Sequence, residues 1–449
     1  MRLAILGTGY VGLVSGACFA ELGFDVTCVD KDESKIQALN KGKVPFFEPN
    51  LHEYINVNIN RSRLHFSSKL ESAVSKADIV LITVGTPSHL ETGQPDLKDL
   101  FFLLEMISSL LTNYKIIVLK STIPIGTTRQ ADEYLRLINP KANFDIVINP
   151  EFLREGSAIQ DFMKPDRIVI GTESHKAATA MRNLYHSFIY AGVPFIEATL
   201  ETTELIKYAA NAFLATKISF INQIADLCEK CHGDIRQVAM GIGLDHRIGK
   251  EFLNVGPGFG GSCFPKDMKA LIQTSNSFDV SLPIVEVALK FNHERKHKMV
   301  NYIMSALGEG VQGKTIAVLG LTFKANTDDL RESVSLTIIP ALSTAGATIK
   351  AYDPKGMESA QKLFLEINFV KTAYEAIREA DALLILTEWE EFKKLDLKQV
   401  KNLMKNPVII DLRNIFTIEE MSQHGFMYYS LGHSPLLPLK REKFKGVVA

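Results

Sequence analysis

The chain has almost no charge of either sign to spare: 50 lysines and arginines face 51 acidic residues, a formal net charge of −1. Nucleic acid or an anionic membrane surface would select a strong basic excess, so this balance argues against both and leaves room only for a local basic pocket. Long apolar runs are also missing, and nothing approaches the ~18 residues that a membrane-spanning helix needs. Met1-Arg2 followed by apolar residues to Leu6 imitates a secretion signal, but the run is short and breaks into a glycine turn. It reads as the first strand of a buried sheet. Cysteine is scarce and odd in number, five in 449 residues, which argues against a disulfide framework and fits free thiols in a reducing cytoplasm. Apolar residues make up 46% and charged residues 22%, enough for several cores; the length suggests roughly three domains at about 150 residues each.

Short apolar runs recur at helical intervals: Leu3 to Leu6, Val26 to Val29, Ile79 to Val84, Ile116 to Leu119, Ile146 to Ile148, Arg167 to Ile170 and Val193 to Ile196. Fully apolar strands separated by helix-length segments are what a parallel sheet covered on both faces requires. Residues 1–200 therefore read as a doubly wound α/β domain. Glu204 to Lys230 contains neither Gly nor Pro and reads as one long helix joining domains. A helical region follows to about Leu307, interrupted by a glycine loop. The α/β rhythm resumes after Gly313, with Thr315 to Leu319, Thr348 to Tyr352, Ala382 to Leu386 and Val408 to Ile410. The expected fold is α/β: two doubly wound Rossmann-like domains, 1–200 and 311–449, joined through a helical segment 201–310. A mobile basic tail from Pro435, with Lys440, Arg441, Lys443 and Lys445, is expected to close the chain.

Gly7-Thr8-Gly9-Tyr10-Val11-Gly12 follows the first apolar run and opens a helix of small residues. A G-x-G-x-x-G turn in that setting allows the tight bend, the close approach of a pyrophosphate and helix-on-strand packing. The helix N-terminus offers N–H groups to the phosphates. Asp30 ends the second strand, where a carboxylate binds ribose hydroxyls and repels a 2′-phosphate, so NAD is expected over NADP. Thr86 and Thr122, at two further strand ends, are placed to donate hydrogen bonds to cofactor or substrate. The second α/β segment has Gly320 but no complete fingerprint, so no second dinucleotide is expected there. Lys324, Asp328, Asp329 and Arg331 instead make a charged loop suited to another anionic ligand.

Four glycines crowd positions 256–261 just before Cys263. That glycine density is costly in chain entropy unless it serves a close approach. Lys266 is placed to favour a thiolate and Asp267 to orient water or take a proton, which makes Cys263 a candidate nucleophile. Cys228 and Cys231 form a C-x-x-C with no second pair and read as packing or surface residues. Lys207 and Asn211 share a helix face and could stabilise an alkoxide or move a proton. Asn149-Pro150-Glu151-Phe152-Leu153-Arg154-Glu155 adds two carboxylates and an arginine beyond another strand end.

Together these motifs resemble the UDP-glucose 6-dehydrogenases, within the NAD-dependent nucleotide-sugar dehydrogenases. The resemblance rests on GTGYVG at Gly7 to Gly12, VGTPS at Val84 to Ser88, STIPIGT at Ser121 to Thr127 and NPEFLREG at Asn149 to Gly156. It continues through KYAANAFLATKISFIN at Lys207 to Asn222, GPGFGGSCFPKD at Gly256 to Asp267, FKANTDDLRES at Phe323 to Ser333 and DLRN at Asp411 to Asn414. It implies Cys263 as nucleophile, with Lys207, Asn211 and Asp267 around the reacting carbon and Thr122 and Glu155 handling water and protons. The implied cofactor contacts are Gly7, Gly9, Tyr10, Val11, Gly12, Asp30, Lys35, Thr86 and Arg331, with Thr122, Glu155 and Cys263 facing the same cofactor. Glu151, Phe152, Leu153, Arg154, Glu155, Lys207, Asn211, Phe252, Leu253, Asn254, Val255, Gly256, Gly260 and Lys324 would contact the UDP-sugar. Arg247 resembles an arginine that reaches the neighbouring subunit's substrate, and Arg413 another substrate-side arginine. Leu412 stands where the family more often has glycine.

The implied reaction takes UDP-glucose to UDP-glucuronate with two NAD, through a thiohemiacetal and a thioester on Cys263, in a homodimer built on the long helix and without a metal. Three other readings stay open: the same oxidation of GDP-mannose or a UDP-N-acetylhexosamine, a two-electron hydroxyacid dehydrogenase, and a non-catalytic nucleotide-sugar binding protein. The cysteine loop speaks against the second, and the intact Cys263, Lys207 and Asp267 against the third.

Overall fold

A computed structural model describes residues 1–87, 95–308 and 310–437. Ser88 and the basic residues Lys440, Arg441, Lys443 and Lys445 lie outside the described residues. The chain divides into two compact units, Met1–Phe213 with Lys266–Glu286, and Leu214–Pro265 with Val287–Ala449.

The first unit is built on β1 (Arg2–Leu6), β2 (Asp25–Val29), β3 (Leu64–Ser67), β4 (Ile79–Ile82), β5 (Lys115–Leu119), β6 (Phe144–Ile148), β7 (Ile168–Gly171) and β8 (Phe195–Ala198). They form one sheet in the order β3-β2-β1-β4-β5-β6-β7-β8. The first six strands thus follow the 3-2-1-4-5-6 order of dinucleotide-binding sheets. Alternation along β1 sends Leu3 and Ile5 into one core and Ala4 and Leu6 into the other, which is why these strands carry no polar face.

The expected all-parallel sheet needs one correction. β7 meets β6 antiparallel, through a single bridge between Ile148 and Gly171. A side chain on Gly171 would stand 2.7 Å from Ile148 and 2.7 Å from the Thr199 carbonyl, so glycine permits the join. Two side chains complete it: Asn149 donates to the Val169 carbonyl at 2.9 Å and Thr172 to that of Ile146 at 2.8 Å.

The second unit holds β9 (Thr315–Leu319), β10 (Thr348–Tyr352), β11 (Asn368–Phe369), β12 (Ala382–Ile385), β13 (Val408–Asp411) and β14 (Met427–Ser430). All are parallel, in the order β11-β10-β9-β12-β13-β14. Sequence reading missed β3, β11 and β14, all of them edge strands. An edge strand alternates buried and exposed positions, as Leu64–Ser67 does, and lacks the continuous apolar run used to find the others.

The long helix runs Leu200–Cys231, with Glu201 in its first turn and Lys230 in its last, both favourable to the helix dipole. Its first turns dock on the first unit through Glu204, which is 2% exposed. That carboxylate accepts from the Gly126 and Thr128 amides at 2.5 and 2.7 Å and from the Thr128 hydroxyl at 2.6 Å, capping helix Thr127–Ile138. Glu204→Ala would strand two buried amides and remove three charge-assisted hydrogen bonds. It should destabilise the protein by ~3 kcal/mol, read as a lower denaturant midpoint; a loss under about 0.5 kcal/mol would show the cap to be idle.

Candidate active site

β1 ends at Gly7, whose φ of +105° turns the chain into helix Tyr10–Glu21. That helix starts at Gly9 with no side-chain cap and no acid in its first turn, which leaves its amide dipoles to an anion. A side chain on Gly12 would collide with the Gly7 carbonyl, whereas one on Gly9 would meet nothing within 4 Å. Gly12 thus serves packing and Gly9 open space.

Asp30 follows β2 directly. One carboxylate oxygen accepts from the Thr8 amide at 3.0 Å, the Thr8 hydroxyl at 2.6 Å and Lys35 Nζ at 3.0 Å; the other accepts from the Asp32 amide at 3.1 Å. Partial burial pushes this carboxyl up, but the bonds from Thr8, Asp32 and Lys35 outweigh it and hold it down at about 2. It is therefore anionic at neutral pH, and the turn fits a pyrophosphate above a ribose without a 2′-phosphate. Tyr10 donates to Glu48, a buried acid that also accepts from the Gly156 and Ala158 amides at 2.6 and 2.8 Å. Glu48 so ties the dinucleotide turn to the loop after β6, and Glu155 of that loop bears electrostatically on Tyr10.

The turns after β4 and β5 are stitched together. Ser121 donates to the Val84 carbonyl at 2.6 Å, and Thr86 to that of Thr122 at 2.8 Å. The Thr86 hydroxyl, expected to face a ligand, is engaged here by the Thr122 carbonyl. Val11 and Thr122 are half-buried.

Beside these turns, Lys207 Nζ lies 3.2 Å from Glu151 Oε1, the side chains being 4% and 8% exposed. The other Glu151 oxygen accepts from the Leu153 amide. Phe152 stacks under Arg167, 3.7 Å from ring centre to guanidinium, with Lys207 5.2 Å from the same ring. Four residues along the helix, Asn211 donates to Asp267 at 2.6 Å, and Lys266 reaches the other Asp267 oxygen at 2.7 Å. The Lys266 ammonium thus sits on Asp267, which is 1% exposed. Arg154 is exposed and pairs with Asp161 at 2.7 Å.

Sequence reading missed Lys120, the residue after β5. Its ammonium is buried against the Asn149 carboxamide oxygen at 3.2 Å, which also accepts from Tyr185 at 2.6 Å. Burial lowers this lysine to about 8, against the opposing pull of Glu151. A lysine closing the wholly apolar run Ile116 to Leu119 was the available signal. For Glu48 a single sequence offers none.

The second unit carries Cys263, half-buried, with Ser262 Oγ 3.6 Å from its sulfur. It directly precedes helix Phe264–Ser277. The glycines before it admit protein as well as ligand. A side chain on Gly260 would lie 2.5 Å from the Glu332 carbonyl, and one on Gly261 2.8 Å from the Phe323 ring. Arg413 donates to the Phe323 and Leu386 carbonyls at 2.7 and 2.8 Å and borders Gly256. Leu412 is fully buried in the core and is not among the residues of positive φ, so this loop needs no glycine there. Lys324 is half-buried, 5.6 Å from the Phe323 ring, and Arg331 pairs with Asp329 at 2.8 Å. Phe252 has a φ of +63° and its ring packs on Phe264; Leu253 is buried, Asn254 exposed, Val255 half-buried. Arg247 is exposed and pairs with Asp245 at 2.6 Å. Cys228 is buried and Cys231 exposed, both free. Among the described residues, no three His, Cys, Asp or Glu side chains are grouped to hold a metal, and no helix is long and apolar enough to cross a membrane.

Comparison with known proteins matches three models of the UDP-glucose/GDP-mannose dehydrogenase family: its NAD binding domain over residues 1–189, its central domain over 201–294 and its UDP binding domain over 317–418. The chain is 48% identical to a UDP-glucose 6-dehydrogenase of Rhizobium meliloti, covering 96% of this chain and 99% of that one. It is 47% identical to a UDP-glucose 6-dehydrogenase of Bacillus subtilis, covering 96% and 93%. Among solved structures, a UDP-glucose dehydrogenase of Pyrobaculum islandicum is 33% identical with a TM-score of 0.88, covering 96% of this chain and 98% of that one. The chain belongs to the UDP-glucose/GDP-mannose dehydrogenase family.

Proposed function

We propose that this chain oxidises the C6 alcohol of UDP-glucose to the carboxylate of UDP-glucuronate, with Cys263 as covalent nucleophile. The observation that carries the reading is the buried set Lys207–Glu151 and Asn211–Asp267–Lys266, charged and amide groups kept from water where an alkoxide and an attacking water need handling. The full-length likeness to UDP-glucose 6-dehydrogenases, and the match of 317–418 to a UDP binding domain, support the choice of substrate.

NAD supplies the hydride acceptor for each of the two oxidations. Gly7, Gly9, Tyr10, Val11 and Gly12 would hold its phosphates and Asp30 with Lys35 its ribose; Thr86 and Arg331 would be further contacts. Lys207 and Asn211 stabilise the oxygen that gains charge as the alcohol loses its proton. The Cys263 thiolate adds to the resulting aldehyde, and the thiohemiacetal is oxidised to a thioester. Asp267 orients the water that hydrolyses it, Thr122 and Glu155 assist in proton transfer, and the sulfur leaves as thiolate. Covalent capture keeps the aldehyde from escaping. The Glu151 to Glu155 segment, the Phe252 to Gly256 segment, Gly260, Lys324 and Arg413 bind the UDP-sugar. In this assignment 1–200 is the cofactor domain, 201–310 the cysteine-loop and dimer segment and 311–449 the UDP-sugar domain.

A homodimer on the long helix belongs to the same proposal, with Arg247 serving the partner's substrate. Leu205, Phe213, Phe220 and Leu227 are 45%, 67%, 51% and 60% exposed. Seven- and eight-residue spacing puts them on one stripe of the helix, an apolar patch of the kind a second copy covers. Free thiols at all five cysteines are consistent with a reducing, cytoplasmic setting.

Three outcomes are expected. Two NADH should form per UDP-glucose, and Cys263→Ala should abolish the complete oxidation while NAD binding persists; one NADH per sugar, or normal turnover in that variant, would refute the thioester route. NADP should be used about 100-fold less efficiently than NAD, and Asp30→Ser should narrow that gap; equal use by the unaltered chain would remove Asp30 from its role. Phe213→Glu combined with Phe220→Glu should halve the mass measured by light scattering, and an unchanged mass would place the interface elsewhere.

A further inference from the structure

The helix Pro283–Ala306 buries Asn292, Arg295 and Lys296, at 4%, 1% and 7% exposure. Positions i, i+3 and i+4 lie on one face, and three polar groups buried side by side are expensive unless each is paired. Asn292 and Arg295 bond to the glycine segment before Cys263 and Lys296 to Glu332, while Arg295 Nη2 has no hydrogen-bond partner among the described residues. The Asn292 carboxamide accepts from the Phe259 amide at 2.8 Å and donates to the Phe259 carbonyl at 3.0 Å, matching both polar groups of one residue. Arg295 Nε donates to the Gly256 carbonyl at 2.7 Å, while the Gly256 amide donates to Asn222 at 2.9 Å. Arg295 is itself fixed by the Asn222 carbonyl at 3.2 Å and Asp226 at 3.0 Å. Lys296 donates to the Glu332 carbonyl at 2.8 Å, and Glu332 is the residue against which Gly260 packs.

A segment with glycines at 256, 258, 260 and 261 cannot hold one conformation by its own preferences, because each glycine loses more conformational freedom on ordering than any other residue. The tethers at Gly256 and Phe259 offset that cost. Gly258 itself belongs to the device, because a side chain there would stand 2.8 Å from the Asn292 carboxamide oxygen. The tethered stretch ends four residues before Cys263.

We propose that Asn292, supported by Arg295 and Lys296, is a positioning residue for the nucleophile: it fixes the backbone from which Cys263 is presented. The inference rests on Cys263 being the nucleophile. Asn292→Ala removes both bonds to Phe259. Asn292→Asp keeps the side-chain volume but sets a carboxylate oxygen against the Phe259 carbonyl, so it tests the same point if the alanine variant folds poorly.

The full-length protein is treated with iodoacetamide, and the labelling rates of the Cys263 and Cys231 peptides are compared by mass spectrometry. Cys231 is exposed and serves as an internal reference. In both variants the Cys263 to Cys231 ratio should rise about tenfold, kcat should fall about 100-fold and KM for NAD should stay within about twofold. A ratio unchanged in a variant that melts normally would overturn the proposal, as would a kcat loss no larger than the loss of folded protein. The labelling needs no substrate. If the unaltered chain fails to oxidise UDP-glucose, the earlier reading falls while the labelling ratio still decides the role of Asn292.

Discussion

A carboxylate just beyond a strand end, filled by backbone amides, holds the loops of both units. Asp30 follows β2 and accepts from Thr8; Asp353 follows β10 and accepts from the Leu321 and Thr322 amides at 2.7 and 3.2 Å. The positions correspond, since each acid closes the turn after the first strand of its sheet. They differ in what else they meet. Asp353 also takes Trp389 Nε1 at 3.2 Å and the Lys355 and Gly356 amides at 2.9 and 2.7 Å, and is 1% exposed. Its oxygens are spent on the protein. Asp30 keeps 15% of its side chain open and is held by Lys35, a flexible partner. One architecture thus gives a dinucleotide turn in the first unit and a closed turn in the second, where the glycine fingerprint is also incomplete.

Much of this was legible in the sequence, for a physical reason. Strands buried on both faces must be continuously apolar, so β1, β4, β5, β9 and β12 stand out. The glycine fingerprint is legible because Gly12 has a steric duty that no other residue can perform. Edge strands carry no such run, and β3, β11 and β14 were lost with it. The reversal at β7 was invisible as well, because it depends on Gly171 meeting Ile148 and Thr199, contacts between segments far apart in the chain.

The site divides along the same line. Lys207 and Asn211 could be paired from their spacing alone, since i and i+4 share a helix face. Their partners Glu151 and Asp267 each lie 56 residues away, and no local pattern announces which acid meets which donor. The glycines before Cys263 were read as room for a ligand. Two of them, Gly260 and Gly261, make room for the Phe323 to Glu332 loop, so the backbone leading to Cys263 is shaped by protein packing first. Lys266, adjacent in sequence to the buried Asp267, is held by that carboxylate.

The buried acids then separate into two kinds by the nature of their donors. Glu48, Glu204, Asp353 and Asp411 are met by backbone amides, with hydroxyls or an indole beside them. A backbone amide does not exchange its proton during a reaction, and such a carboxylate acts as a fixed bolt. Glu151 is met by Lys207 as well as by the Leu153 amide, and Asp267 by Asn211 and Lys266, on flexible side chains. Buried ion pairs are a weak source of stability, because desolvation offsets most of their attraction. A fold that needed only anchoring would gain more from backbone amides, as it does four times elsewhere. The side-chain partners of Glu151 and Asp267 suit the proposed chemistry, in which a partner moves, whereas Asp381, held by the Thr315 amide and by Lys405, shows a lysine serving an anchoring acid.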